Sequence, residues 1–151
     1  MNTDRIERSV LLRAPRARIW EAISDPKAFG DWFGVKLDGS FAPGSRLHGK
    51  VTHKGYENYP FEIIVDRVEP ERLLSWRWHP HALDLKKDYS SEPTTLVRFD
   101  LEDAPGGTRF KVTESGFDSL PESRRREAYE GNEKGWAMQM EAIEKYVAQA
   151  A

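Results

Sequence analysis

The sequence predicts an α+β domain in which a long C-terminal helix covers one face of an antiparallel sheet. Three observations support this prediction. Most of the chain alternates polar and apolar residues between regularly spaced turn signals, which is typical of an antiparallel meander. Two short helical segments follow the first strand-like segment. The last thirty residues repeat an apolar residue every three or four positions, as an amphipathic helix does.

The N-terminal elements are predicted to be one strand and two short helices. Residues 5–13 begin with the alternation of a strand. Pro15 then opens the segment APRARIWEAIS at a first helical position. The residues expected to share a face of this helix are Ala17, Trp20 and Ile23. Asp25 is an N-cap followed by Pro26, and this pair predicts a second helix in PKAFGDW.

Five further strands are predicted between the turn signals that follow. They are SRLHGKVTH, PFEIIVDRVE, RLLSWRWHP, TTLVRFDLE and TRFKVTES. The alternation places one set of residues on the inner face: Leu47, Gly49, Val51, Trp76, Trp78, Val97, Phe99, Phe110, Val112 and Glu114. The phase of PFEIIVDRVE is not determined by its pattern, and a bulge is predicted there.

One long irregular segment interrupts this pattern. Residues 79–94 (HPHALDLKKDYSSEPT) follow directly after the strand that contains Trp76 and Trp78. A loop of this length inside a compact domain is usually functional or disordered. We therefore expect it to act as a lid at one end of the sheet.

The C-terminal helix carries a stripe with polar and aromatic members. Ser119 and Glu122 have the spacing of a capping box, and Pro121 is expected in the first turn. The stripe consists of Tyr129, Asn132, Trp136, Met140, Ile143 and Val147. Gly131 and Gly135 lie beside it, and each costs the helix about 1 kcal/mol relative to Ala. We expect the helix to flex at these glycines or to allow a close approach there.

Composition limits the classes of function. The chain has 151 residues, which predicts a single domain over residues 1–151. Its net charge is −2 with the signs mixed, so neither nucleic acid nor a membrane is an expected partner. With no cysteine in the sequence, a thiolate nucleophile, a disulfide and a cysteine-held iron–sulfur cluster are all excluded. No signal peptide or apolar run of membrane-spanning length is recognised, and a cytoplasmic location is expected.

Four stretches in this order are similar to one known family. They are APRARIWEAISDPKAFGDWFG, VEPERLLSWRW, TTLVRFDLE with GGTRFKVTESGF, and the Gly135-Trp136 pair. Together they resemble the SRPBCC (START/Bet v-like) superfamily, and within it the branch named for the Aha-type activator of the heat-shock chaperone ATPase. The resemblance implies a helix-grip fold: a curved antiparallel sheet of six or seven strands, two short N-terminal helices and a long C-terminal helix over a cavity.

The resemblance also implies that a small hydrophobic, preferably aromatic, molecule binds between sheet and helix. The helix-facing strand residues and the end of the second short helix then supply the predicted site. Its residues are Trp32, Phe33, Gly49, Trp76, Trp78, Phe99, Phe110, Val112, Glu114, Asn132, Trp136 and Met140. In this interpretation Gly49 leaves room for the ligand.

Each candidate also has a plainer interpretation. The aromatic residues can be ordinary core, or they can line an open pocket. Glu114 falls on the apolar face, where it can reach water at a strand end, or anchor a hydrogen bond, or act as an acid or base. Asn132 can be its polar partner or a satisfied amide on the helix face.

Two further clusters are not assigned a site. His79 and His81 have a spacing that would suit a metal, but Pro80 separates them and no third ligand follows, so no metal site is predicted. The other two histidines, His48 and His53, are expected on surface strands. The basic run at residues 124–126 is expected to be a solvated face of the helix.

The leading functional hypothesis is non-catalytic binding of the hydrophobic molecule, with no cofactor. A co-chaperone-like module that acts in a stress response through its sheet surface is the first alternative. An enzyme of cyclase or hydrolase type, using Glu114 as acid or base, is the second. A homodimer is left open.

Overall fold

Seven antiparallel strands form one curved sheet, and the computed structural model describes residues 4–149. The strands are β1 (Arg5–Leu12), β2 (Val35–Asp38), β3 (Arg46–Val51), β4 (Pro60–Glu69), β5 (Leu73–Trp78), β6 (Thr95–Ala104) and β7 (Gly107–Ser115). Their order is β1-β7-β6-β5-β4-β3-β2, so β2 to β7 form a meander and β1 pairs with β7. This architecture confirms the predicted fold.

The short strand β2 was not among the segments predicted from the sequence. It follows Gly34, whose φ of 90° ends the preceding helix in the left-handed region, and it pairs with β3. Opposite it lies Gly49, where an added Cβ would stand 1.7 Å from the Lys36 carbonyl oxygen. The prediction that Gly49 leaves room for a ligand is therefore wrong, because the glycine permits the backbone of β2 to approach.

The bulge predicted in the fourth strand is present. The register between β4 and β5 shifts between Val65 and Arg67. The side chain of Ser75 fills the irregularity, since its Oγ accepts from the Arg67 backbone N–H at 3.1 Å and donates to Asp66 at 3.1 Å. The shift explains why simple alternation could not give the phase of this segment.

Two short helices, α1 (Arg16–Ser24) and α2 (Pro26–Phe33), follow β1 as predicted. The carboxylate of Asp25 accepts from the Ala28 backbone N–H at 2.9 Å, so it caps α2. The predicted face of α1 is wrong, because its buried residues are Ile19, Ala22 and Ile23. In a helix of nine residues, two different sets of apolar positions have helical spacing. Packing against the rest of the core decides which set is buried.

The long helix α3 (Glu122–Gln149) runs without interruption through Gly131 and Gly135. It begins after Pro121, whose carbonyl accepts from the backbone of Arg124 at 2.9 Å and of Arg125 at 3.0 Å. The capping-box prediction is wrong, because Ser119 belongs to a separate 3₁₀ turn, Phe117–Ser119. The buried residues of α3 are Ala128, Trp136, Met140, Ile143 and Val147.

Aromatic rings fill the space between the sheet and the helices. Trp76 lies at the centre, with ring centroids 5.9 Å from Phe99 and 6.3 Å from Phe29, and Phe99 lies 5.2 Å from Phe110. All four side chains are fully buried. They form a closed core below the middle of α3.

The outer face of the sheet carries charges that pair with each other. Arg98 contacts Asp100 at 2.9 Å, and Arg46 contacts Glu62 at 2.8 Å. Within residues 4–149, no helix is both long enough and apolar enough to span a bilayer.

Candidate functional site

A buried carboxylate joins three strands to α3. Glu114 alternates inward with Phe110 and Val112 along β7, and its side chain is 0% exposed. Four side chains donate to it: Trp78 at 2.7 Å, Thr95 at 2.6 Å, Asn132 at 3.0 and 3.1 Å and Trp136 at 2.8 Å. These donors come from β5, β6 and α3. The carboxylate therefore holds the C-terminal helix to the centre of the sheet.

The electrostatics of Glu114 combine two opposing effects. Burial raises the pKa of its carboxyl group, because an ionised carboxylate loses its hydration. The hydrogen bonds from Thr95, Trp136, Trp78 and Asn132 act against that rise, since each of them favours the ionised form. An indole N–H only donates hydrogen bonds and cannot accept one from a protonated carboxyl group. Two of the four partners therefore favour the ionised carboxylate.

A cavity of about 500 Å³ lies beside this cluster, at the end of the sheet where α2 meets α3. Its volume is within the range of about 300 to 1,000 Å³ that is usual for small-molecule sites. The inner walls are aromatic and consist of Trp32, Phe33, Phe61, Trp78 and Trp136. The N–H edges of Trp78 and Trp136 point at Glu114, so the carboxylate orients two walls of a cavity that it does not itself border.

The mouth of the cavity is formed by two loops and one face of α3. Within the described residues, the large hydrophobic side chains that are exposed are Tyr56, Leu83, Leu85 and Met138. All of them except Leu85 border the cavity. Gly135 also borders it, and a Cβ added there would meet no atom within 4 Å. The cavity thus opens to solvent through an apolar rim.

One side of the mouth is the segment 79–94, which contains neither strand nor helix. Arg124 attaches it to α3, because its guanidinium donates to Glu92 at 2.9 Å, to the His81 carbonyl at 3.1 Å and to the Pro80 carbonyl at 3.0 Å. The guanidinium carbon of Arg124 also lies 4.7 Å from the centre of the Tyr89 ring. The expectation that Arg124 is solvated is therefore wrong, although its neighbour Arg126 is exposed.

His81 packs directly against the helix backbone. A Cβ at Gly131 would stand 2.7 Å from its ring, so the glycine permits the close approach of the loop. The Nε2 atom of His81 lies 3.3 Å from Glu127, while Nε2 of His79 lies 3.1 Å from the Glu92 carbonyl. The two imidazoles have separate partners, and no metal-ligand cluster occurs within residues 4–149.

Of the residues predicted for the site, five line the cavity. They are Trp32, Phe33, Trp78, Asn132 and Trp136. Seven do not: Gly49, Trp76, Phe99, Phe110, Val112, Glu114 and Met140. The aromatic and aliphatic members of the second group are buried and belong to the hydrophobic core. The part of the helix that borders the cavity is the stretch from Gly131 to Ala142.

Other residues of the cavity were not identified from the sequence. Phe61 precedes the bulge in β4, whose phase the pattern left open. Gln139 borders the cavity one turn beyond Gly135, and it follows Asn132 by seven positions on the same helix face. Gln139 was not part of the predicted stripe, although its helical spacing from Asn132, which was, is a usable signal. Tyr56 and Tyr59 lie after a turn glycine, Gly55, in a loop with no periodicity.

The sequence pattern of one family, described as "Activator of Hsp90 ATPase homolog 1-like protein", matches residues 13–148. No protein with a curated description matches the chain. Solved structures with the same fold include protein MLL2253 from Mesorhizobium loti. It has a TM-score of 0.76 and 24% identity, with 97% of this chain and 98% of that chain covered.

Two further structures are similar at lower identity. Protein Ms6760 from Mycobacterium smegmatis has a TM-score of 0.77 and 18% identity, over 99% of this chain and 94% of that one. Protein NE0264 from Nitrosomonas europaea has a TM-score of 0.77 and 18% identity, over 99% and 97%. At these identities the likeness is one of fold.

Proposed function

The chain belongs to the family of activator of Hsp90 ATPase homolog 1-like proteins, and from this premise we propose that it binds a small hydrophobic, preferably aromatic, molecule without transforming it. The ligand occupies the cavity between the end of the sheet, α2 and residues 131–142 of α3. The observation that carries this proposal is an open cavity of about 500 Å³ whose walls are aromatic rings.

The walls are held in place before any ligand arrives. Trp78 and Trp136 are each fixed by a hydrogen bond to the buried Glu114, at 2.7 and 2.8 Å. Phe33 packs against both indoles in tilted contacts, with ring centroids 6.2 Å from Trp78 and 5.8 Å from Trp136. Such preorganisation reduces the side-chain entropy that is lost on binding.

Apolar burial supplies the affinity. An aromatic ligand that buries about 200 Å² of apolar surface gains about 5 kcal/mol, at about 25 cal/mol per Å². This corresponds to a dissociation constant of about 0.2 mM before polar contacts are added. Larger ligands that fill more of the cavity are expected to bind more tightly.

The test fills the cavity from Gly135. A leucine at this position points into open space and favours the helix, so Gly135→Leu should fold at least as stably as the wild type. We expect it to abolish the binding of naphthalene-type probes in isothermal titration calorimetry. Gly135→Ala is the matched control, because it makes the same backbone change but adds only a methyl group.

Three results would contradict the proposal. One is a failure of the wild-type protein to bind any aromatic probe, another is equal binding by Gly135→Leu and the wild type, and the third is loss of binding in Gly135→Ala alone.

The acid–base alternative draws little support from the geometry of Glu114. Its carboxylate is fully buried and both oxygens are occupied by donors. A substrate in the cavity would have to displace Asn132 or an indole ring before it reached the carboxylate. If any turnover is found, unchanged activity in Glu114→Gln would reject an acid–base role.

The co-chaperone alternative rests on the description of the family and on the apolar rim. The charges of the outer sheet face are paired with each other, so the exposed residues at the cavity mouth are the surface that such a contact would use. Pull-down with the chaperone and its ATPase assay, each with Met138→Lys as the comparison, test this alternative, because Met138 is exposed and borders the cavity. Equal capture and equal ATPase rates with both proteins would reject the rim as the contact.

A further inference from the structure

Two amide side chains of α3 line the cavity, and each has its nitrogen bonded to an acceptor. Nδ2 of Asn132 donates to both oxygens of Glu114, at 3.0 and 3.1 Å. Nε2 of Gln139 donates to the Phe33 carbonyl at 2.9 Å. Both partners are hydrogen-bond acceptors: the Phe33 group is a backbone carbonyl, and Glu114 already accepts from two indole N–H groups. The orientation of both amides therefore follows from the chemistry of their partners.

The amide oxygens are the atoms that remain for a ligand. Among the described residues, Oδ1 of Asn132 and Oε1 of Gln139 make no hydrogen bond, and neither is a buried orphan. Both are acceptors. The two residues are seven positions apart on one helix face, which separates them by about 10 Å along the axis.

Gly135 lies between the two amides on the same part of the helix. With no atom within 4 Å of its missing Cβ, it leaves the helix backbone open to the cavity. A flat ring placed there would lie against the helix backbone in the cavity that Trp78 and Trp136 also border, with Asn132 and Gln139 on either side of Gly135 along the helix.

The charges around the cavity argue against an anionic ligand. Glu114 lies directly behind the indole walls, so its ionised form would repel an anion in the cavity. The cation that borders the cavity, Lys134, is exposed on α3. A carboxylate placed beside either amide oxygen would meet an acceptor and not a donor.

Building on the proposed binding function, we propose that the ligand is a flat aromatic molecule with a neutral hydrogen-bond donor, such as a phenol hydroxyl or a ring N–H. The donor bonds to Oδ1 of Asn132, and Oε1 of Gln139 accepts a second donor at the far end of the ligand. A ligand without a donor leaves these oxygens desolvated and unpaired, and an anion adds repulsion. A ligand without a donor and an anionic ligand therefore both bind more weakly than a neutral ligand with a donor.

The test compares three probes that share one ring system: 2-naphthol, 2-methoxynaphthalene and 2-naphthoate. In isothermal titration calorimetry at pH 7, we expect 2-naphthol to bind about tenfold more tightly than its methyl ether, since the ether cannot donate. We expect 2-naphthoate to bind more weakly than 2-naphthol.

Variants then assign the selectivity to the amides. In Asn132→Leu, the ratio of the naphthol and ether affinities should fall towards one. Glu133→Gln is the matched control, because this exposed neighbour does not border the cavity, and the ratio should stay unchanged in it.

Asn132→Leu also removes a donor from Glu114 and can fail to fold, so a second comparison uses Gln139→Met. The wild type should bind 2,6-dihydroxynaphthalene about fivefold more tightly than 2-naphthol, and Gln139→Met should bind both equally. If Gln139→Met retains the preference, the second acceptor is rejected.

The outcomes separate this inference from the function on which it rests. Equal binding of 2-naphthol and its ether, or tightest binding of 2-naphthoate, overturns the donor requirement and leaves hydrophobic binding intact. An absence of binding by all three probes overturns both.

Discussion

At the scale of single residues, Glu114 shows how an acidic side chain is accommodated in an apolar interior. An isolated buried carboxylate is too costly to persist, and it needs hydrogen bonds for both oxygens. Here two indoles, one hydroxyl and one amide supply them. The same bonds orient Trp78, Asn132 and Trp136, which line the cavity. The carboxylate therefore acts on the cavity through its neighbours and not by contact.

Replacing Glu114 by glutamine tests this role. Glutamine retains the size, but its amide nitrogen cannot accept from the surrounding donors, so at least one indole N–H loses its partner. We expect Glu114→Gln to lower the free energy of unfolding by about 2 to 3 kcal/mol in urea denaturation. Glu102 is an exposed residue of β6, and Glu102→Gln is the control. It should change the free energy of unfolding by less than about 0.5 kcal/mol. Equal stability of the two variants would show that the network contributes nothing.

Stability should also depend on pH through this group. Burial raises the pKa of Glu114 above its ordinary value of 4.5, so the folded protein binds this proton more tightly than the unfolded chain does. The contribution is complete below about pH 4.5 and declines as the pH rises, until the carboxyl ionises in the folded state.

We therefore expect the stability of the wild type, relative to Glu114→Gln, to fall as the pH rises above about 4.5 and then to level off. Urea unfolding of both proteins across a pH series measures the difference. Parallel curves for the two proteins would contradict the raised pKa.

At the scale of elements, α3 changes character along its length. Its C-terminal part buries Met140, Ile143 and Val147 in the core, whereas the stretch from Gly131 to Ala142 borders the cavity. The two glycines lie in the stretch that borders the cavity, and they serve different neighbours. Gly131 admits the ring of His81, and Gly135 faces open space.

The two glycines should respond in opposite ways to alanine. Gly135→Ala should raise the stability by about 1 kcal/mol, because helix propensity improves and nothing is displaced. Gly131→Ala gains the same propensity but must push the His81 ring from a contact of 2.7 Å, so it should be less stable than Gly135→Ala. Thermal unfolding measures both. A more stable Gly131→Ala would show that the loop does not rest on the helix.

The segment 79–94 is attached to α3 mainly through Arg124. Arg124→Gln removes the ion pair with Glu92 and the bonds to two loop carbonyls, at a cost of about 1.5 to 3 kcal/mol. We expect faster amide hydrogen exchange throughout 79–94, with the core strands unchanged. Arg126→Gln is the matched control, since this arginine is 90% exposed. Similar exchange in both variants would reject Arg124 as the anchor.

At the scale of the whole molecule, one continuous aromatic cluster serves two purposes. Around Trp76, Phe99 and Phe110 it is a closed core, and around Phe33, Trp78 and Trp136 it borders the cavity. The division follows the position of α3, which packs on β1 and α2, whereas the cavity lies at the ends of β4 and β5, where Phe61 and Trp78 border it. The closed core and the walls of the cavity are thus separate in position.

Substitutions in the two regions should separate these properties. Phe110→Ala should cost about 3 to 5 kcal/mol of stability, because its ring is fully buried, and leave the affinity for an aromatic probe nearly unchanged. Phe33→Leu should weaken probe binding several-fold while it costs less than about 1.5 kcal/mol. Chemical denaturation and calorimetry measure the two quantities. A large loss of affinity in Phe110→Ala would mean that the cavity extends into the core.

The sequence alone determined most of the architecture. Alternation at period two and helical spacing are local properties, so they predicted six strands and three helices, and they placed Glu114 and Trp136 on inward faces. The resemblance carried by Gly135-Trp136 and the strand motifs was enough to predict the helix-grip fold. Local pattern failed where two phases were equally good, as in α1, and where a strand is only four residues long, as in β2.

Only the tertiary structure decided which inward residues border the cavity and which face each other. Alternation tells on which side of a strand a residue lies, but not how far the opposing layer stands from it. That distance depends on the curvature of the sheet and the path of α3, which arise from contacts between segments remote in sequence. For this reason Phe99 and Met140 became core, Gly49 became a site of backbone contact, and Gln139 and Phe61 became parts of the cavity.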